Sequence, residues 1–216
     1  MPEPAGYRLV RSRRRTLAVC IEGGRVTVRA PLGMPAAAID SFLAQKRDWI
    51  EDKLRRFAAE SARFAAVREG RALLDAGRER PVVYGAAADG EGEGGFFLRS
   101  PRSVRPYFEK TRCDLLPEAL FAFARRAGVC PEKVAVRDFK ARWGSCDAAR
   151  VIKLNWRLAM LPAPLRDYVL VHELCHLRRL DHSPAFWREV ERLLPDYRAR
   201  RAALRTYSFL TGLYRG

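Results

Sequence analysis

Two kinds of apolar spacing alternate along the chain, and the changes between them mark its elements. From about Tyr7 to Arg29 apolar and polar residues alternate, with Leu17, Val19 and Ile21 on one face and Val26 and Val28 following Gly23-Gly24. A period of two interrupted by paired glycines predicts a β-hairpin. Pro31 to Pro35 breaks the pattern, and Ile39, Phe42, Leu43, Trp49, Ile50, Leu54 and Phe57 then recur at helical spacing. From Gly70 to Pro106 the sequence is rich in glycine and predicts short strands joined by loops, with GEGEGG from Gly90 to Gly95 as a turn.

A second region begins near Tyr107. Pro117 followed by Leu120, Phe121, Phe123 and Ala124 predicts a helix that stops at Gly128. Val134, Val136 and Phe139 read as one strand, Val151, Ile152 and Leu154 as another, and Arg142-Trp143-Gly144-Ser145-Cys146 as the tight connection between them. A helix is expected from about Pro164 to Arg178. The next starts at Ser183-Pro184, where serine suits the N-cap and proline the first helical position. No internal repeat is visible. The order predicts an α+β fold, with residues 1–105 a β-rich region carrying one helix and residues 106–216 a catalytic region, the two possibly forming one continuous domain.

Composition narrows the setting. Apolar residues make up 48% of the 216, enough for a buried core, but no run nears the roughly 18–20 residues of a membrane-spanning helix. Met1-Pro2-Glu3-Pro4 leads into polar, Arg-rich sequence without the apolar run of a signal peptide, so a cytoplasmic protein with no membrane partner is expected. Five scattered cysteines without a Cys-x-x-Cys pair argue against a disulfide scaffold or a zinc ribbon. The net charge of +16 suits a polyanion such as nucleic acid, with Arg11, Arg13, Arg14 and Arg15 as the densest cluster. However, 35 of the 41 basic residues are arginine, a pattern that genome-wide composition produces equally well.

The three histidines of the chain all fall within His172-Glu173-Leu174-Cys175-His176-Leu177-Arg178-Arg179-Leu180-Asp181-His182. Four residues at about 100° each bring His172 and His176 onto one helix face, where two imidazoles can grip one Zn²⁺. Glu173, beside the first ligand, is placed for a general base acting on metal-bound water. An unbroken helix would carry His182 about 15 Å beyond His172, so the helix must stop near Arg179 or Leu180 and the chain turn back. Three imidazoles would leave one tetrahedral position for water, the pattern of a catalytic site. Glu189 or Glu191 is the alternative third ligand, and Asp181 either orients a ligand or only ends the helix. An HExxH sequence also arises on solvent-facing helices. Here apolar Leu165, Tyr168, Val169, Val171 and Leu174 predict a buried helix, and buried histidines need partners. Trp143, Trp156, Phe186 and Trp187 read as core.

The chain resembles the YgjP-like metallopeptidases, zincin-fold relatives of the SprT and WLM-type proteases. The resemblance rests on Arg142-Trp143-Gly144-Ser145-Cys146, Leu154-Asn155-Trp156-Arg157-Leu158, Tyr168 through His176, Asp181 through Trp187, and Pro195-Asp196-Tyr197. Thr16-Leu17 and Val28-Arg29-Ala30-Pro31 are also similar, so it spans nearly the whole chain. It implies a zincin-like metallopeptidase core, zinc at His172, His176 and His182, Glu173 as catalytic base, and a peptide or protein substrate. The ligand spacing equals that of the metzincins, but Arg179 stands where they carry glycine, so the turn must be made differently.

Two other readings compete. The HxxxHxxxxDH spacing of His172, His176, Asp181 and His182 is similar to that of zinc endoribonucleases, although those enzymes carry glycine where Glu173 stands. A nucleic-acid-binding module with structural zinc is the non-enzymatic alternative. Tyr197 and Arg142 are candidate oxyanion donors that read equally as structural. The tail from Arg198 to Gly216 can cover a cleft, dock on a partner or complete the core.

Overall fold

The computed structural model describes residues 6–214; Met1-Pro2-Glu3-Pro4 and the tail's Arg215 and Gly216 lie outside them. The chain divides into two compact units, residues 1–65 and 66–216.

In the first unit β1 (Arg8–Ser12), β2 (Ala18–Glu22) and β3 (Arg25–Pro31) form a sheet in the order β1-β3-β2. Glu22 pairs with Arg25, so only Gly23 and Gly24 make the turn, at φ 57° and 75°. Two successive positive φ values are what a two-residue hairpin turn needs, and glycine adopts them without steric cost. A Cβ on Gly24 would also meet the Phe57 ring at 2.6 Å. Val28 and Ala30 point inward from β3 and pack on Ile39 and Leu43. The expected single helix is two, α1 (Ala36–Gln45) and α2 (Arg47–Arg63), because Lys46 leaves helical geometry at φ −100°, ψ 4°. A single turn, α3 (Ala65–Arg68), falls at the division.

The second unit opens with β4 (Ala72–Asp75), β5 (Arg78–Tyr84), β6 (Gly90–Gly92) and β7 (Gly95–Leu98), in the order β4-β5-β7-β6. These are the short strands that the glycine-rich stretch predicts. Helices α4 (Val104–Thr111) and α5 (Leu115–Ala127) follow, the latter ending at Gly128 in left-handed conformation. The expected division near 105/106 falls inside this unit. Arg112 reaches Asp75 at 3.1 Å and Glu91 at 2.7 Å, Arg80 bonds the same two carboxylates, and Phe96 packs on Phe108 with ring centroids 5.6 Å apart.

Next come β8 (Lys133–Arg137), β9 (Gly144–Cys146) and β10 (Val151–Asn155), in the order β8-β10-β9. Phe139 lies beyond β8, and the connection predicted at residues 142–146 itself carries the edge strand β9, antiparallel to β10. Helices α6 (Ala163–Cys175), α7 (Pro184–Leu193) and α8 (Tyr197–Leu204) complete the α+β architecture. After them a 3-10 segment buries Tyr207 and Leu210, so the described part of the tail completes the core. Fully buried Arg157 holds it there, donating to the Leu213 and Tyr214 carbonyls and pairing with Asp138. Among the described residues no helix is long and apolar enough to cross a membrane.

Candidate metal centre

Helix α6 buries Leu165, Tyr168, Val169, Val171 and Leu174, as its apolar flanks predict. It ends at Cys175, a turn earlier than the expected stop at Arg179 or Leu180, with His176 as its cap. Reversal without glycine is achieved by a tightened last turn: Leu177 N–H donates to the Leu174 carbonyl, and Arg178 and Arg179 N–H both donate to that of Cys175. His182 then stands immediately before α7, whose N-cap Ser183 accepts from Phe186 N–H at 3.4 Å. Asp181 accepts from Ser183 N–H at 3.3 Å, which makes it a turn-forming residue.

These constraints bring the three imidazoles together. His172 Nε2 lies 3.2 Å from His176 Nε2 and 3.1 Å from His182 Nε2. One ligand atom from each residue lies within 4.8 Å of the others. His176 Nδ1 is 2.9 Å from the Arg179 carbonyl. A carbonyl only accepts, so the proton sits on Nδ1 and the lone pair on Nε2 faces its neighbours. A single hydrogen on His172 Nε2 can serve one of its two neighbours but not both. Burial pushes the His172 pKa down to about 3, assisted by His176, His182 and Arg201, and burial lowers that of His176 as well. Burial thus disfavours protonation of the His172 and His176 rings, and with His182 beside them the donor set fits a cation.

Aromatic rings fix the imidazoles. Phe186 stacks on His176 at 4.5 Å and Trp187 on His182 at 5.7 Å, with Tyr197 behind Trp187 at 5.4 Å. His172 Nδ1 is buried without a hydrogen-bond partner among the described residues. Its ring is held instead by Phe186, edge-on at 5.0 Å, and by Tyr168 at 5.9 Å. Phe186 and Trp187, read from sequence as core, therefore also wall the histidine cluster. The available signal was their position on the first turn of α7, just after His182.

Glu173 is 6% exposed and turns toward β9. A Cβ on Gly144 would stand 2.8 Å from its Oε1 and Cγ. Burial raises its pKa to about 8, with Arg142 pulling it back down. The loop before β9 is anchored by buried Asn155, whose Nδ2 donates to the Phe139 carbonyl at 3.1 Å and the Arg142 carbonyl at 2.9 Å. The Asn155 backbone N–H donates to the Trp143 carbonyl at 2.8 Å. Asn155 is the residue that sequence reasoning missed; its place in the LNWRL segment was the only signal.

The alternative ligands are engaged elsewhere. Glu189 pairs with Arg178 at 3.3 Å and Arg192 at 3.1 Å, and Glu191 pairs with Arg198 at 2.6 Å. Burial raises the thiol of Cys146 to about 11 and those of Cys113 and Cys175 to about 12, and no cysteine joins the histidine cluster among the described residues. Tyr197 packs on Trp187, and the Arg142 guanidinium lies 5.6 Å over Phe139.

The family model for the YgjP-like metallopeptidase domain matches residues 15–93 and 99–207. Among solved structures, the metallopeptidase zymogen abylysin of Pyrococcus abyssi is 26% identical, over 43% of this chain and 93% of that one, with a TM-score of 0.40. No curated protein matches.

Proposed function

Because the chain belongs to the YgjP-like metallopeptidase family, its chemistry is metal-dependent peptide hydrolysis, and we propose that the metal is zinc held by His172, His176 and His182. Glu173 is the general base. The observation that supports this reading is the convergence of three imidazoles, with His172 Nε2 within 3.2 Å of the Nε2 atoms of both His176 and His182. An all-imidazole set of three, without thiolate or carboxylate, suits zinc of the catalytic kind. Zinc held by these residues would supply Lewis acidity, toward a water and toward the scissile carbonyl.

The remaining work falls to the chain. Glu173 takes the proton of the attacking water and passes it to the leaving amine, and its packing against Gly144 holds the carboxylate in place for both transfers. The rings of Phe186 and Trp187 hold His176 and His182 in place as charge develops. β9, an edge strand packed beside Glu173, is where an extended peptide would lie by strand addition.

The +16 charge keeps an RNA substrate in view as a competing outcome. Asp181, shared with the endoribonuclease spacing, is occupied in the turn before α7. Zinc-loaded protein should be offered unbiased peptide and RNA pools side by side. The proposal expects new peptide termini and intact RNA; cleaved RNA with intact peptides would replace it with the nuclease reading.

A further inference from the structure

Beside the histidine cluster lies a cleft of about 410 Å³, lined by His182 together with Trp187, Arg188, Glu191, Tyr197 and Arg198. One wall is a continuous aromatic stack: the His182 ring lies on Trp187 with planes 29° apart, and Trp187 lies on Tyr197 at 14°. This wall starts at an imidazole of the proposed metal site, so a group in the cleft lies next to the reacting carbonyl.

The charges around the cleft are unequal in their commitments. Arg198 is neutralised by Glu191 at 2.6 Å. The Arg201 guanidinium, outside the cleft lining, lies 4.7 Å over the Trp187 ring. Among the described residues Arg188 has neither an acidic partner nor an aromatic one, yet it lines the cleft. We propose that this cleft is a substrate subsite for an acidic side chain flanking the scissile bond, with Arg188 as its specificity-determining residue. The inference rests on the peptidase reading of the adjacent site. An Asp or Glu side chain placed there meets an uncompensated guanidinium, the best carboxylate partner among side chains, and lays its methylene carbons on Trp187. A Lys or Arg side chain meets like charge from Arg188, while the Glu191 carboxylate that could attract it is already paired with Arg198, and it is disfavoured.

The test uses full-length, zinc-loaded protein and three peptides identical except for Glu, Gln or Lys beside the cleaved bond. Partly solvated charge pairs predict that kcat/KM ranks Glu over Gln over Lys, with about fivefold per step. Arg188→Glu reverses the order and Arg188→Gln flattens it; Arg188 is exposed, so both variants should fold. The same ranking is expected when binding of fluorescent versions to Glu173→Gln is read by anisotropy, and it should weaken with added salt. Equal binding of Glu and Lys peptides, or an Arg188→Glu variant with an unchanged ratio, overturns the subsite. Charge-selective binding without any cleavage supports the subsite and overturns the hydrolytic reading instead.

Discussion

The carboxylate of Glu173 rests against the backbone of Gly144, so closely that a Cβ there would lie 2.8 Å from Oε1. Gly144 has no positive φ, so alanine is acceptable to its backbone and only the side-chain contact changes. Gly144→Ala should therefore push Glu173 aside while leaving the histidines in place. Overpacking predicts a stability loss of about 1–3 kcal/mol, and misplacing the base predicts about 10- to 100-fold lower kcat. Peptide turnover measured together with zinc content checks this: the variant should keep the metal and lose the rate.

His176 is the most firmly positioned of the three imidazoles, through its Nδ1 and the Arg179 carbonyl. His176→Ala should fail to retain zinc on dialysis. Zinc at about 100 times its Kd should stabilise the wild type by about 2.7 kcal/mol, whereas the melting temperature of the variant should not respond. Thermal melts with and without zinc make the comparison.

The His172 pKa supplies a pH signature in metal-free protein. Burial holds it near 3 when folded, against about 6.5 when unfolded. Above about pH 6.5 both states are neutral and the ring has no effect. As pH falls from there toward 3 the unfolded chain takes up a proton that the folded chain refuses, so stability is lost. The urea midpoint of wild type should fall over that window more steeply than that of His172→Gln, which has no titrating ring.

Asn155 is buried and bonds three backbone groups, the Phe139 and Arg142 carbonyls and the Arg157 N–H. Asn155→Ala strands these groups, and about 1–3 kcal/mol of stability should be lost. Because the same carbonyls fix the loop into β9, peptide turnover should fall further than the folded fraction alone explains. Denaturant melts paired with kinetics separate the two effects.

What was legible in the sequence followed from local rules. Gly23-Gly24, the stop at Gly128 and the Ser183 cap each need only the conformational or hydrogen-bonding preference of one or two residues. The histidine triad was legible because helical spacing pairs His172 with His176, and the Ser183 cap places His182 after a turn. What stayed hidden depends on contacts between distant segments. The glycine in Arg142-Trp143-Gly144 makes sense only once Glu173 packs on it, and Asn155 only once the loop before β9 folds over it. The expected division near residue 105 rested on the order of strand-like and helical segments, and ion pairs that join Asp75 and Glu91 to Arg112 cross that position. The break at Lys46 lies inside an apolar stripe that carries across it, from Leu43 to Ile50, so periodicity alone does not mark it.

The central claim, that the three histidines hold zinc while Glu173 moves the proton, is tested most directly by Glu173→Gln. Zinc stoichiometry and single-turnover peptide cleavage should be measured on wild type and variant purified in parallel. The account predicts one zinc per chain in both and cleavage by the wild type alone. Equal cleavage by the zinc-loaded variant would contradict it.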